Sequence, residues 1–195
     1  MRTAEVTRKT RETEIELSLG LDGYAPRDLA TGVGFLDHML ELLARHGGLA
    51  LGVRARGDLE TGAHHTVEDV GICFGQALDR ALGDRDGIAR YGHAVVAMDE
   101  ARASCALDVS GRPFLVWSAA LPPGGIGEFD HELAEEFFRA VASNARLTVH
   151  LVQEAGTNTH HVIEALFKAF ARALRAAVAL TGDAGVPSTK GTLSG

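Results

Sequence analysis

Hydrophobic and polar positions alternate over residues 12–20, with Ile15, Leu17 and Leu19 on one side. That pattern predicts a half-buried strand, ended by the turn signal Asp22-Gly23. Residues 35–44 read as a short helix stopped by Gly47-Gly48. A strand over 49–56 and a polar loop over 57–63 lead into a long amphipathic helix, from His64 to about Leu82, closed by Gly83 and Gly87. Residues 92–101, 103–110 and 113–121 read as strands, and Pro122-Pro123-Gly124-Gly125 breaks the chain. The theme then returns: a helix from His131 to about Ser143, a strand over 147–153, a loop over 154–159 and a long helix over 160–180. The tail from Thr181 onward is rich in Gly, Ser and Thr and reads as irregular. Strand, helix, strand, helix in each half predicts α/β layering of the α+β two-layer kind, with helices on one face of each sheet. Residues 1–92 and 93–195 are the two expected repeats of one compact unit.

Polar residues sharpen the repeat. His64-His65-Thr66-Val67-Glu68 returns as His160-His161-Val162-Ile163-Glu164, an offset of 160 − 64 = 96 residues. At that offset Phe74 meets Phe170, Ala77 meets Ala173, Leu78 meets Leu174 and Ala81 meets Ala177. On a helix, residues four apart lie only about 40° apart around the axis, whereas neighbours are turned by about 100°. His64 and Glu68 can therefore face one ion, as can His160 and Glu164, while His65 and His161 point elsewhere. The earlier helices supply further donors: His38, 26 residues before His64, and Glu136, 24 residues before His160. One expected site is His38, His65, His160 and Glu164; the other is His64, Glu68, Glu136 and His161. Imidazole and carboxylate without thiolate suit Mn, Fe, Co, Ni or Zn. Open positions left at each ion point to catalysis. A single His-x-x-x-Glu pair is usually a surface pair; the duplication is what favours metal.

Composition narrows the partners. A 46% apolar share suffices for a core, and a net charge of −7 without a Lys/Arg run argues against nucleic acid or an anionic membrane. The two cysteines, Cys73 and Cys105, fit a reducing interior. The start lacks an apolar signal core, and no stretch approaches the ~20 apolar residues of a membrane span, so a cytoplasmic location is expected. Taken alone, His46 reads as a helix C-terminal His. Arg90 and Arg112, beside turn residues, could fork a phosphate, although a solvated role is the commoner one. Ser188-Thr189-Lys190-Gly191 suits a phosphate or a disordered tail equally. His150 reads as packing or ligand support, His93 and His131 as surface, and Asp99-Glu100 as functional or a strand end.

Taken together these residues resemble the imidazoleglycerol-phosphate dehydratases. The likeness runs through Arg11-Glu12-Thr13, residues 34–40 with His46-Gly47, residues 64–69, 107–113 and 156–170, and Pro187-Ser188-Thr189-Lys190-Gly191. It implies a duplicated fold, each half a four-stranded sheet with two helices. It also implies two Mn(II) ions per active site and 24 subunits built from trimers, with sites at subunit interfaces. The substrate implied is D-erythro-imidazole-glycerol phosphate, dehydrated to imidazole-acetol phosphate in histidine biosynthesis. By position, His38, His64, His65, Glu68, His160, His161 and Glu164 become metal ligands. Glu12, His46, Arg90, Arg112, Ser188 and Lys190 become substrate contacts, with Thr189 beside them. Glu164, Glu12 and His65 are the expected catalytic groups. Relatives often carry His where Glu136 stands, and Glu135 is its neighbour in register. No length remains here for the phosphatase domain that some relatives add, so a monofunctional enzyme is expected. Two other classes would use similar clusters: a dinuclear metallohydrolase and a non-catalytic, metal-assembled shell.

Overall fold

The computed structural model describes residues 1–182, 185–189 and 191–193, without the side chains of Pro26 and Arg27. The first half runs β1 (Thr3–Lys9), β2 (Thr13–Gly20), β3 (Ala25–Ala30), α1 (Gly34–Gly47), β4 (Ala50–Gly57) and α2 (His64–Leu82), with a 3-10 turn at Leu59–Thr61. The second runs β5 (Tyr91–Met98), β6 (Ala101–Asp108), β7 (Phe114–Ser118), a small hairpin of β8 (Gly125–Ile126) and β9 (Phe129–Asp130), then α3 (Leu133–Ala145), β10 (Thr148–Ala155) and α4 (Thr159–Ala177). The sheets have orders β1-β2-β4-β3 and β5-β6-β10-β7. In each, the last-named strand is parallel to its neighbour and the other pairings are antiparallel.

The duplication is visible in the pairing register. The pair Thr3↔Gly20 becomes Tyr91↔Asp108, so 88 residues carry β1–β2 onto β5–β6 (91 − 3; 108 − 20). Gly20↔Ala50 becomes Asp108↔Thr148, so β4 maps onto β10 with a shift of 98 (148 − 50). The ten-residue difference is taken up by the β8–β9 excursion before α3. The alternation of a strand sends successive side chains to opposite faces. Ile15, Leu17 and Leu19 of β2 are thus buried on the inner face, as are their counterparts Ala103, Cys105 and Leu107 of β6.

Helix α2 packs on β1 and β2 and against α3; α4 packs on β5 and β6 and against α1. The four helices therefore lie between the two sheets, and helices of opposite halves share the core. Gly71 and Gly75 allow the α2–α3 approach: a Cβ there would lie 2.9 Å from the Phe137 and Val141 carbonyl oxygens respectively.

Four sequence expectations need correction. Strand β1 escaped notice because it is an edge strand with one deeply buried residue, Val6. The edge strand β3 carries Pro26 and a register shift, which blur its period. Asp99-Glu100 is a hairpin turn between β5 and β6, not strand, and Ala101 opens β6. His150 is exposed on the outer face of β10 rather than packed. The break at residues 122–125 leads into β8, and the buried Phe129 of β9 places its ring 5.2 Å from Phe35. No helix among the described residues is long and apolar enough to cross a membrane.

Both thiols sit in this core, Cys73 on α2 and Cys105 on β6. Burial pushes them up to about 11 and about 12, so neither is a nucleophile at neutral pH. Native protein is expected to leave an aromatic disulfide reagent unreacted, and to release two thiols per chain in guanidinium. Fast labelling before denaturation would contradict the packing.

Candidate metal centre

Helices α1 and α4 carry the best-formed cluster. α1 begins at Gly34 and ends against Gly48, whose left-handed backbone accommodates the cap. Four residues into it, His38 projects toward the first turns of α4. There Asn158 caps the helix, its side chain accepting from the His161 backbone N–H. His38, His160 and Glu164 each bring a ligand atom within 4.8 Å of the others. His160 Nε2 lies 3.2 Å and His38 Nε2 3.5 Å from Glu164 Oε2. The Phe35 ring stands edge-on to His160 at 5.1 Å and limits its rotation. Glu164 is 6% exposed. Burial raises its proton affinity, but the Lys168 ammonium, 2.5 Å from Oε1, and the two imidazoles outweigh that and hold it below the ordinary carboxylate range.

The second pair of helices offers the counterpart. α3 ends on the left-handed Arg146 as α1 ends on Gly48, a shift of 98, which brings Glu136 onto the position of His38 (38 + 98 = 136). α3 packs on α2, where His64 Nε2 lies 3.9 Å from Glu68 Oε2. Glu136 is half-buried and has no ion pair among the described residues, whereas its neighbour Glu135 pairs with Arg139. Within a single chain only His38, His160 and Glu164 close to mutual ligand distance among the described residues.

His65 and His161 are turned away from these clusters, as the 100° step demands. His65 Nδ1 lies 3.0 and 3.2 Å from the two Asp58 carboxylate oxygens, and its Nε2 lies 3.9 Å from Glu12. His161 Nδ1 lies 2.7 Å from Glu100 Oε2. These carboxylates raise the proton affinity of both imidazoles. The His161 ring and two backbone N–H groups lower Glu100 to about 2.

Apart from Glu12, beside His65, the expected substrate residues fall in two places. Arg90 Nε and Nη2 reach Asp108 at 2.8 and 3.2 Å, and Nη1 donates to the Pro187 carbonyl at 2.7 Å. Arg112 lies 3.6 Å from the same Asp108. Arg90, Arg112 and the segment bearing Ser188 and Thr189 thus share one corner of the second sheet, where the Gly191 N–H closes a turn on the Ser188 carbonyl. Lys190 lies outside the described residues. His46 instead lines a hollow of about 680 Å³ with His93, Arg172 and Arg175. Burial and then the cations Lys168, Arg172 and Arg45 lower its proton affinity.

Sequence reasoning assigned no role to Lys168, Asp58 or Asp108, and left Glu100 as functional or a strand end. Lys168 was legible as the i+4 partner of Glu164. The other three carry no periodic signal, because each meets its partner through the turn of a hairpin, a loop or a strand end.

The donor set of two imidazoles and a carboxylate, without thiolate, fits a divalent transition ion. A model of the family described as "Imidazoleglycerol-phosphate dehydratase" matches residues 31–174. The chain is similar to the imidazoleglycerol-phosphate dehydratase of Jannaschia sp. (strain CCS1), 57% identical over 99% of this chain and 100% of that one. That of Symbiobacterium thermophilum is 60% identical over 98% of this chain and 93% of its own. The solved dehydratase of Staphylococcus aureus superposes with a TM-score of 0.84 at 45% identity, covering 92% of this chain and 99% of the other. The chain belongs to the imidazoleglycerol-phosphate dehydratase family, lyases of histidine biosynthesis.

Proposed function

We propose that this enzyme dehydrates D-erythro-imidazole-glycerol phosphate to imidazole-acetol phosphate, with two Mn(II) ions in each active site. The observation that carries the reading is the convergence of His38, His160 and Glu164. These three with His65 hold one ion; His64, Glu68, Glu136 and His161 hold the other. His65 and His161 lie outside the His38 cluster in their own chain, which supports sites completed by neighbouring subunits in an assembly of 24 built from trimers. The two halves expected at 1–92 and 93–195, the second opening with β5 at Tyr91, are the products of the duplication, and the enzyme works in the cytoplasm.

The ions that these residues would hold would supply Lewis acidity, which would ease loss of a proton from the substrate's imidazole ring. The protein's own groups do the rest. Ring electrons expel the side-chain hydroxyl, which takes up the proton released from the ring and leaves as water. A carbon-bound proton then passes to the Glu164 carboxylate, leaving an enol that becomes the ketone. Glu12 holds the substrate hydroxyls. Arg90, Arg112, Ser188, Thr189 and Lys190 anchor the phosphate, with His46 contributing, so binding energy remote from the reaction positions the reacting carbon.

Chelated, dialysed enzyme is expected to form no imidazole-acetol phosphate, and added Mn(II) to restore it. Full activity without any transition metal would overturn the reading. So would phosphate release from simple esters without dehydration, the mark of a metallohydrolase. Particles that change size with metal yet show no lyase activity would indicate the assembled shell.

A further inference from the structure

Glu12 and Glu100 occupy the same place in the two halves. The 88-residue shift that superposes the hairpin registers carries residue 12 onto residue 100, yet the two carboxylates are engaged differently. Glu100 Oε2 meets His161 Nδ1 at 2.7 Å, while Oε1 accepts the backbone N–H groups of Thr157 and Asn158 at 3.2 and 2.8 Å. Three hydrogen bonds therefore lock it between the β5–β6 turn and the start of α4. Glu12 has no such tie to His65: it faces Nε2, not Nδ1, at 3.9 Å, beyond hydrogen-bond range.

In the first half Asp58 does the work instead. Both its oxygens face His65 Nδ1, and it is held by the Thr61 hydroxyl at 3.1 Å and by its own N–H, which donates to the Glu12 carbonyl at 3.1 Å. The 98-residue shift of β4 onto β10 becomes 99 beyond the bulge at Gln153/Ala155, so Gly156 matches Gly57 and Thr157 stands where Asp58 does (58 + 99 = 157). Thr157 has no carboxylate, and its backbone N–H donates to Glu100, so the second half has no equivalent of the Asp58 side chain. Each pentad thus receives one carboxylate on Nδ1 of its second histidine, from a different element. A carboxylate accepting from Nδ1–H fixes the ring and its tautomer and leaves the Nε2 lone pair to bind an ion.

We propose that Glu100 and Asp58 are the positioning residues of His161 and His65, presenting Nε2 of each to a metal ion, and that Asp58 thereby frees Glu12, the counterpart of Glu100, to act on substrate. This rests on the reading of His65 and His161 as ligands. Gln at position 100 would keep the backbone contacts but donate to Nδ1, moving the ring proton onto Nε2 and blocking coordination. The test is Mn(II) titration of the full-length, metal-stripped protein, free Mn(II) being read by electron paramagnetic resonance. Glu100→Gln and Asp58→Asn are expected to weaken Mn(II) binding about 10- to 100-fold, the usual cost of losing such a partner. Glu12→Gln is expected to bind Mn(II) as the wild type does while losing turnover. His161→Asn is the control. If it weakens binding and Glu100→Gln does not, the positioning role is wrong although the ligand assignment stands. If it leaves binding unchanged, the ligand reading itself falls. Equal losses in Glu12→Gln and Glu100→Gln would overturn the division of labour. Should Glu100→Gln fail to fold, Asp58→Asn carries the same test at His65.

Discussion

Glu164→Gln is expected to lower turnover by roughly 10²- to 10⁴-fold, the range of a lost acid–base group, while phosphate affinity changes far less. The carboxylate is both buried and shared by His38, His160 and Lys168, so the amide removes a metal ligand and a proton carrier together. Equal losses in turnover and substrate affinity would reduce Glu164 to a support of the site. A second arm tests how each site is divided. His65→Asn is expected to be similarly inactive, yet a refolded mixture of the two variants should recover activity. A site that takes the His38–His160–Glu164 cluster from the His65→Asn subunit and His65 from the Glu164→Gln subunit carries every ligand. Random mixing in a symmetric assembly makes about a quarter of the sites whole. A mixture as inactive as its components would show that one chain supplies all four ligands.

Phe138→Ala is expected to cost about 3–5 kcal/mol of stability, the range for emptying a packed aromatic site. Phe138 is 1% exposed on α3, with ring centroids of Phe167, Phe170, Phe137 and Trp117 at 4.6, 5.2, 5.4 and 6.1 Å. It joins the second sheet, through Trp117 of β7, to α4, through Phe167 and Phe170. Losing it removes apolar burial and edge-to-face contacts, and loosens the helix that bears Glu136. Trp117 is the only tryptophan, so its fluorescence reads this cluster. The denaturant midpoint should fall at an unchanged slope, at fixed protein concentration. A loss below about 1 kcal/mol would fit a surface position, not a core one.

Much of the layout was legible in the chain. The strand of Ile15, Leu17 and Leu19, and the helices that bear the pentads, are strong periods whose buried faces run as written. The edge strands of the first sheet, β1 and β3, were not, because β1 buries only Val6 and β3 is interrupted by Pro26, so their identity comes from the neighbours they pair with. The pairing of His160 with Glu164 follows from helical spacing alone. Their meeting with His38, some 120 residues earlier in the chain (160 − 38 = 122), depends on α1 packing against α4.

The chain alone therefore determined the repeat, the kinds of donor and the faces they share on each helix, since those depend on spacing within one element. Only the tertiary structure decided which carboxylate serves which histidine. Topologically equal residues, Glu12 and Glu100, diverge because Asp58 reaches His65 across a loop while Thr157, in the place of Asp58, has no carboxylate and leaves His161 to Glu100. Contacts made between elements depend on how those elements pack, and no periodicity within either one encodes them.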